Sequence, residues 1–473
     1  MAVTIINQTP LYKLLPVGQE VVFVVSNDAV GDGESKVKFI ADVHISVETP
    51  NLATTINFIG SFKTTPNNAG VGIFDFRNII ENYVKADNVA YYSDLTSSRY
   101  KNVTTTEIRQ HPLHIIDKYS LNNDSVRNMA IVFAVEYQGA TDSAGNQNDN
   151  VVRRAANTGV DSDNFVLFNG FLNYSDKLTM DASAKFGYNL QQFNLTDETK
   201  SFLTNAPTTQ YANIEDYGTL AFLKDIGTTT DISSIVFTYY TEAGTPLSSD
   251  VIENLSASGG SNTATNSENR LLFFGCFPGN LQNWSATFIA AMPTLSYYTV
   301  GAFNTADSEV SETYTIHINC PNLKGYESIR LCWINQWGAW DYYTFTKKSV
   351  KTLNTQGSTY TQLQGTWNKS IYQVGSYRGG KKSFRVNSTE KIKINTDFVS
   401  ENENVMFEEL INSPEVYLLD GFQTDAVNAM LNDYVTPVRV ISKSFTRKTI
   451  ANDNLLQYSF EIEKTKTLRT QSI

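Results

Sequence analysis

The residues best suited to chemistry in this chain are few, and their spacing does not favour it. There are four histidines, His44, His111, His114 and His317. Two of them, in His111-Pro-Leu-His114, have an HxxH look. A zinc site needs three or four converging ligands, and a helix to bring two histidines onto one face. Pro112 and the extended character of its neighbours supply no such helix, so the pair reads as a structural loop. Asp161-Ser-Asp163 offers oxygen ligands for calcium, but without the EF-hand glycine and terminal glutamate. The three cysteines, Cys276, Cys320 and Cys332, have no CxxC spacing and read as reduced, buried thiols. No HExxH, GxSxG, Walker-A or GxGxxG run is present. Carboxylate pairs for glycoside hydrolysis leave no linear signature, because they are assembled in space. The expectation is a protein that is not an enzyme, with no catalytic residue, metal or cofactor.

The other chemistry-bearing residues are aromatic. Trp333, Trp337 and Trp340, three of the five tryptophans, lie in Tyr326–Phe345, YESIRLCWINQWGAWDYYTF. Ile329, Leu331 and Trp333 alternate, as do Tyr343 and Phe345, which predicts two strands. Asn335-Gln336-Trp337-Gly338 between them predicts a tight turn with the glycine at positive φ. Such a ring-lined hairpin has two readings. It could be a stacking platform for a sugar, or a core that leaves some rings as a docking surface. The structural or interaction candidates are therefore Trp333, Trp337, Gly338, Trp340 and Tyr342. The core-plus-docking reading is preferred.

Composition frames these elements. At 473 residues, the chain calls for two to four domains. Charged residues make up 18% and aromatic residues 12%, which suits a mainly β protein with polar loops. The net charge of −11 argues against coating nucleic acid. Lys381-Lys382, with Arg378 and Arg385, reads as a solvated strand edge. No run approaches the length needed to cross a bilayer, and no secretory leader is evident at the start.

The expected fold is mainly β, with multi-domain sandwich-like units and a few short helices. Residues 1–205 form an N-terminal β-rich domain with exposed insertions, among them a long loop, flexible arm or insertion at 138–163. Residues 206–350 form a middle domain that the Trp hairpin closes, with a polar loop at 254–268. Residues 351–473 form a C-terminal domain with one short helix near 401–412. It opens on a Thr/Gln/Gly linker at 351–366 and ends in a hairpin turning at 451–454. The first two domains share an order of events, a strand leading through a Pro/Gly loop into a short helix and then a strong late strand. That order suggests duplication, with NMAIVFAVEY matched to TYTIHINC.

Three segments resemble a known family. FIADVHIS with INFIGSFKTTPNNAGVGIFDFRNIIENYV and HPLHIIDKY resembles the opening of structural proteins of tailed bacteriophages and prophages. IRLCWINQWGAWDYYTF resembles their recurrent hairpin, with Ile334, Asn335, Gly338, Asp341 and Phe345 carrying the pattern. FEELINSPEVYLL and VTPVRVISKSFTRKTIANDNLLQYSFEIEKTKTLRTQ resemble their closing β unit. The resemblance implies a virion component of the tail tip, hub or baseplate, assembled in the bacterial cytoplasm. Its partners would be other virion proteins and further copies of itself, with no nucleic acid and no membrane insertion. Alternatives are a neck ring, a head decoration, or a tail-tip receptor module that binds a host surface glycan.

Overall fold

Period-two apolar alternation builds two sandwiches and a third, larger sheet. The computed structural model describes residues 4–47, 49–54, 56–86, 89–91, 110–112, 119–121, 124–172, 177–190, 193–195, 201–224, 232–252, 271–319, 326–419, 435–447, 456–465 and 468–469. His114, Cys320, the 254–268 loop and the 451–454 turn lie outside these residues.

The first unit comprises β1 (Thr4–Gln8), β2 (Leu14–Pro16), β3 (Val22–Asn27), β4 (Lys38–Ser46), β5 (Phe58–Thr64), β6 (Val71–Asp75), helix α1 (Arg77–Ile80), β7 (Val126–Gln138) and β8 (Phe165–Phe168). One sheet runs β1-β3-β6 and the other β2-β8-β7-β4-β5. Phe23, Phe74, Phe76, Phe133 and Phe165 fill the space between them, with ring centroids 5.3–5.8 Å apart. The 138–163 segment is not a free arm. Val152–Arg154 and Val160–Asp161 pair back onto β7. Ala140 and Ala155 are buried against Val135 and Val37, and Arg154 makes an ion pair with Asp42.

The second unit comprises β9 (Thr209–Ala212), β10 (Thr219–Lys224), β11 (Ile232–Tyr240), β12 (Pro246–Ile252), β13 (Leu271–Gly275), helices α2 (Pro278–Trp284) and α3 (Ala286–Ala291), β14 (Tyr297–Asn304) and β15 (Tyr314–Ile318). Its larger sheet runs β9-β15-β14-β11-β12, and β10 pairs with β13 in the smaller one. The strand order of the first unit therefore recurs. β8-β7-β4-β5 corresponds to β15-β14-β11-β12, β3–β6 corresponds to β10–β13, and a short helix follows β6 and β13 alike. The short strands β2 and β9 even run parallel to the same neighbour, β8 and β15 respectively. In this order β7, the NMAIVFAVEY strand, corresponds to β14 and not to TYTIHINC. The first unit also lends Tyr119–Leu121 to the second unit's smaller sheet, antiparallel to β13.

The third unit contains β16 (Ile329–Ile334), β17 (Trp340–Phe345), β18 (Val350–Gln362), β19 (Gly380–Asn395), α4 (Asn404–Asn412), β20 (Val416–Leu419), β21 (Val435–Val440) and β22 (Ser459–Lys464). Its sheet runs β17-β16-β20-β21-β22-β19-β18. Met406, Phe407 and Leu410 of α4 pack on that sheet with Phe460 and Ile462. Two expectations are corrected here. The Trp hairpin, β16–β17, bonds to β20 of this sheet, with Leu331 opposite Leu418, and does not close the sheets of the middle unit. Residues 351–366 are no linker, because most of them form β18, which pairs with β19 along its whole length.

Candidate functional site

The β16–β17 hairpin is buried on both faces, because each face belongs to a different core. Ile329, Leu331, Trp333 and Phe345 enter the core under α4. Cys332, Ile334, Trp340 and Tyr342 enter the core of the middle unit. The alternation read from the sequence sorts side chains between two interiors and exposes neither set.

The turn of the hairpin is where all three units meet. Asn335 Oδ1 accepts from the amides of Trp337 (3.0 Å) and Ala339 (3.1 Å), and its Nδ2 donates to the Leu203 carbonyl (2.9 Å). The Phe171 amide of the first unit donates to the Gln336 carbonyl at 2.8 Å. The Gln336 amide donates to Glu409 of α4 at 3.1 Å. Gly338 has φ +75°, and a Cβ there would lie 2.2 Å from the Asn169 carbonyl oxygen. Only glycine fits that close approach.

Beneath the turn lie two buried carboxyls. Asp341 Oδ1 accepts from the Thr204 hydroxyl. Glu409 Oε1 accepts from Asn205 Nδ2 at 2.7 Å as well as from the Gln336 amide. The other oxygens, Asp341 Oδ2 and Glu409 Oε2, are buried with no donor. The two carboxyls lie against each other. Burial pushes Asp341 up to about 6, with hydrogen bonds from Thr204 and Asn335 opposing the rise. Burial, and then the Asp341 charge, push Glu409 well above the usual carboxylate range. A proton held between the two groups satisfies both orphan oxygens. Neither carboxyl lines a described cleft. The pair therefore acts as a clasp between hairpin and helix.

A second buried network joins the hairpin to the middle unit. Arg330 Nε donates to the Tyr217 carbonyl (2.8 Å), and its Nη1 donates to Thr344 (2.8 Å) and to Asp216 (3.4 Å). The guanidinium lies 4.4 Å from the centre of the Phe277 ring and 5.1 Å from that of Tyr342.

The structure thus places all four aromatic candidates, Trp333, Trp337, Trp340 and Tyr342, inside the protein. They offer a glycan no stacking face and a partner no docking face. Gly338 shapes the turn as expected. Of the metal candidates, Asp163 sits at the surface, 3.4 Å from Lys13. Among the described residues no group of three or more His, Cys, Asp or Glu converges.

Among the described residues, two surfaces stand out as able to take a ligand or partner. One is a cleft of about 670 Å³ between β9, the hairpin and the approach to α4. Tyr211, Tyr326 and Phe398 line it and are exposed. The other is the β18–β19 ribbon, whose outer part leaves the sheet as an arm. Its tip exposes Leu363, Trp367, Ile371, Val374 and Tyr377, each by more than 60%. The tip is internally ordered. Trp367 Nε1 and the Tyr372 hydroxyl both donate to the Gln364 carbonyl at 2.9 Å, and Thr366 donates to the Ile371 carbonyl at 2.8 Å. Sequence reasoning missed this arm. A signal was present, since no Asp or Glu occurs from 350 to 389 while six Lys and Arg do.

These features define a mainly β protein of several units, with polar networks buried at a joint and an exposed apolar tip on an arm. No protein-family model matches the sequence, and no curated protein matches it. Among solved structures, it aligns with native alpha-2-macroglobulin of E. coli at 10% identity and a TM-score of 0.16, over 89% of this chain and 23% of that one. Mutant alpha-2-macroglobulin of Salmonella aligns at 7% identity and 0.17, over 100% and 31%. The trypsin-activated E. coli protein aligns at 8% and 0.14, over 99% and 37%. The chain thus spans well under two thirds of the length of those proteins. Scores of this size carry no argument about fold or function.

Proposed function

We propose that this protein is a structural component of a tailed bacteriophage virion, in the tail tip, hub or baseplate, and works by assembly and not by catalysis. The observation that supports this reading is the ordered arm. It holds bulky apolar side chains in solvent at the end of a ribbon, where they serve contact with another macromolecule. The joint supports it too, since three units locked at one turn suit a rigid spacer. Mass spectrometry of purified virions tests the proposal. The expected result is the protein at a fixed whole number of copies per particle. Its absence from particles whose known tail proteins are all detected overturns the reading.

A receptor module for a host glycan is the second reading, favoured by the exposed Tyr211, Tyr326 and Phe398 in the 670 Å³ cleft. Binding to a surface polysaccharide that is lost in Tyr211→Ala would favour it over the spacer role.

A further inference from the structure

The arm and the rest of the chain differ in charge. The whole chain carries −11. Residues 350–389 carry Lys351, Lys369, Arg378, Lys381, Lys382 and Arg385 with no acidic residue, a net +6 that leaves −17 on the remainder. Arg378, Lys381, Lys382 and Arg385 lie beside the apolar tip, at and just before the outer end of β19. β19 first bonds to β22 at Lys391, and from Lys391 out to Gly380 is about 35 Å of extended chain. Among the described residues, the strands that pair with that stretch are β18 and, at Asn387 and Ser388, the short Leu468–Arg469 strand. We infer that the arm docks onto the acidic body of a second copy of this chain, its basic strand steering and its tip seating the contact.

Two observations favour a second copy over a nucleic acid. The tip carries aliphatic Leu363, Ile371 and Val374 at 69%, 69% and 61% exposure, beside its aromatic rings. Aliphatic side chains gain from burial in a protein interface and give no base-stacking face. The body also bears the opposite charge in excess, which a polyanion would meet as repulsion. The tip is preorganised by its own hydrogen bonds, so little ordering entropy is lost on docking. Gly365 at φ +84° belongs to that order, since a Cβ there would lie 2.5 Å from the Tyr372 ring.

The inference rests on the assembly reading above and names the partner and the surface. Its test is mass photometry and sedimentation velocity of the purified full chain, at low and high salt. The expected result is an oligomer at low salt whose association weakens by about tenfold or more as sodium chloride rises. Lys381→Glu with Lys382→Glu and Arg385→Glu should leave a folded monomer. Trp367→Ser with Ile371→Ser should weaken association by about tenfold or more without changing the salt dependence of what association remains. Lys382 is half-buried and the other substituted residues are exposed, so folding is checked by an unchanged melting temperature. A wild-type chain that stays monomeric overturns the inference, as does an oligomer indifferent to both variants. Arm-dependent binding of a fluorescent oligothymidylate by a monomeric chain assigns the arm to nucleic acid and equally overturns it. A monomer that is nonetheless present in virions leaves the structural role standing. An arm-dependent oligomer absent from virions does the reverse.

Discussion

Asp341→Asn isolates the clasp between the hairpin and α4. The Asp341 carboxyl is raised from its ordinary 3.8 to about 6 by burial. The folded chain therefore keeps a proton that the unfolded chain has released. Its contribution to stability is fully present below the unfolded value and is lost as pH rises through about 6. At about 1.36 kcal/mol per unit, ionising this group in place costs about 3 kcal/mol. The carboxamide is neutral at every pH. Its oxygen still accepts from Thr204, and its nitrogen can donate to Glu409. The variant should thus match the wild type near about pH 3, pull ahead as pH rises above the unfolded value, and exceed it by up to about 3 kcal/mol near about pH 8. Urea unfolding followed by tryptophan fluorescence reads this, since Trp333, Trp337 and Trp340 lie in the same hairpin. The difference between variant and wild type is the quantity to plot, because carboxyls away from the Asp341–Glu409 pair titrate equally in both. A difference that does not change with pH, or a variant less stable at about pH 8, would refute the shared-proton account.

Trp333→Ala removes a ring that is fully buried under α4, and should lower stability by about 3–5 kcal/mol in the same unfolding assay. Gly338→Ala meets both a positive φ and the Asn169 carbonyl. It should lower the melting temperature with a loss of about 2 kcal/mol or more, because the first unit must move away from the turn. The Cys276 and Cys332 thiols are buried and pushed upward by desolvation. Iodoacetamide should therefore leave both unlabelled in the native chain and label both in urea, as read by peptide mapping.

What was legible in the sequence was local. Val37 to Val47 and Ser234 to Tyr240 alternate because a packed sheet face demands it, Asn128 to Tyr137 is a near-continuous apolar run, and each lies largely in a strand. Met406, Phe407 and Leu410 recur at helical spacing, and α4 follows, with a Ser400–Glu403 capping box in the turn before it. Less legible were features set by long-range partners. β18 reads TLNTQGSTYTQ because neither face meets a core, so alternation is missing and a strand resembles a linker. The hairpin looked like the close of the middle unit because its neighbour in the sheet, Val416–Leu419, lies some eighty residues on. The clasp left no motif at all. Asp341 and Glu409 are ordinary carboxylates until the fold removes water from both. The 138–163 segment looked loose because its anchors are small: Ala140 and Ala155 bury against β7 without marking a periodic pattern.

The long strand β19 has a mechanical consequence. It is one continuous chain from the arm into the sheet, and its Lys391–Asn395 end is bonded in antiparallel register to Ser459–Glu463. A pull on the tip along the ribbon axis loads those hydrogen bonds side by side, in shear, so they must fail together. A pull across the ribbon would open them one at a time. The arm is thus built to bear axial tension as a tether and to yield to a sideways peel.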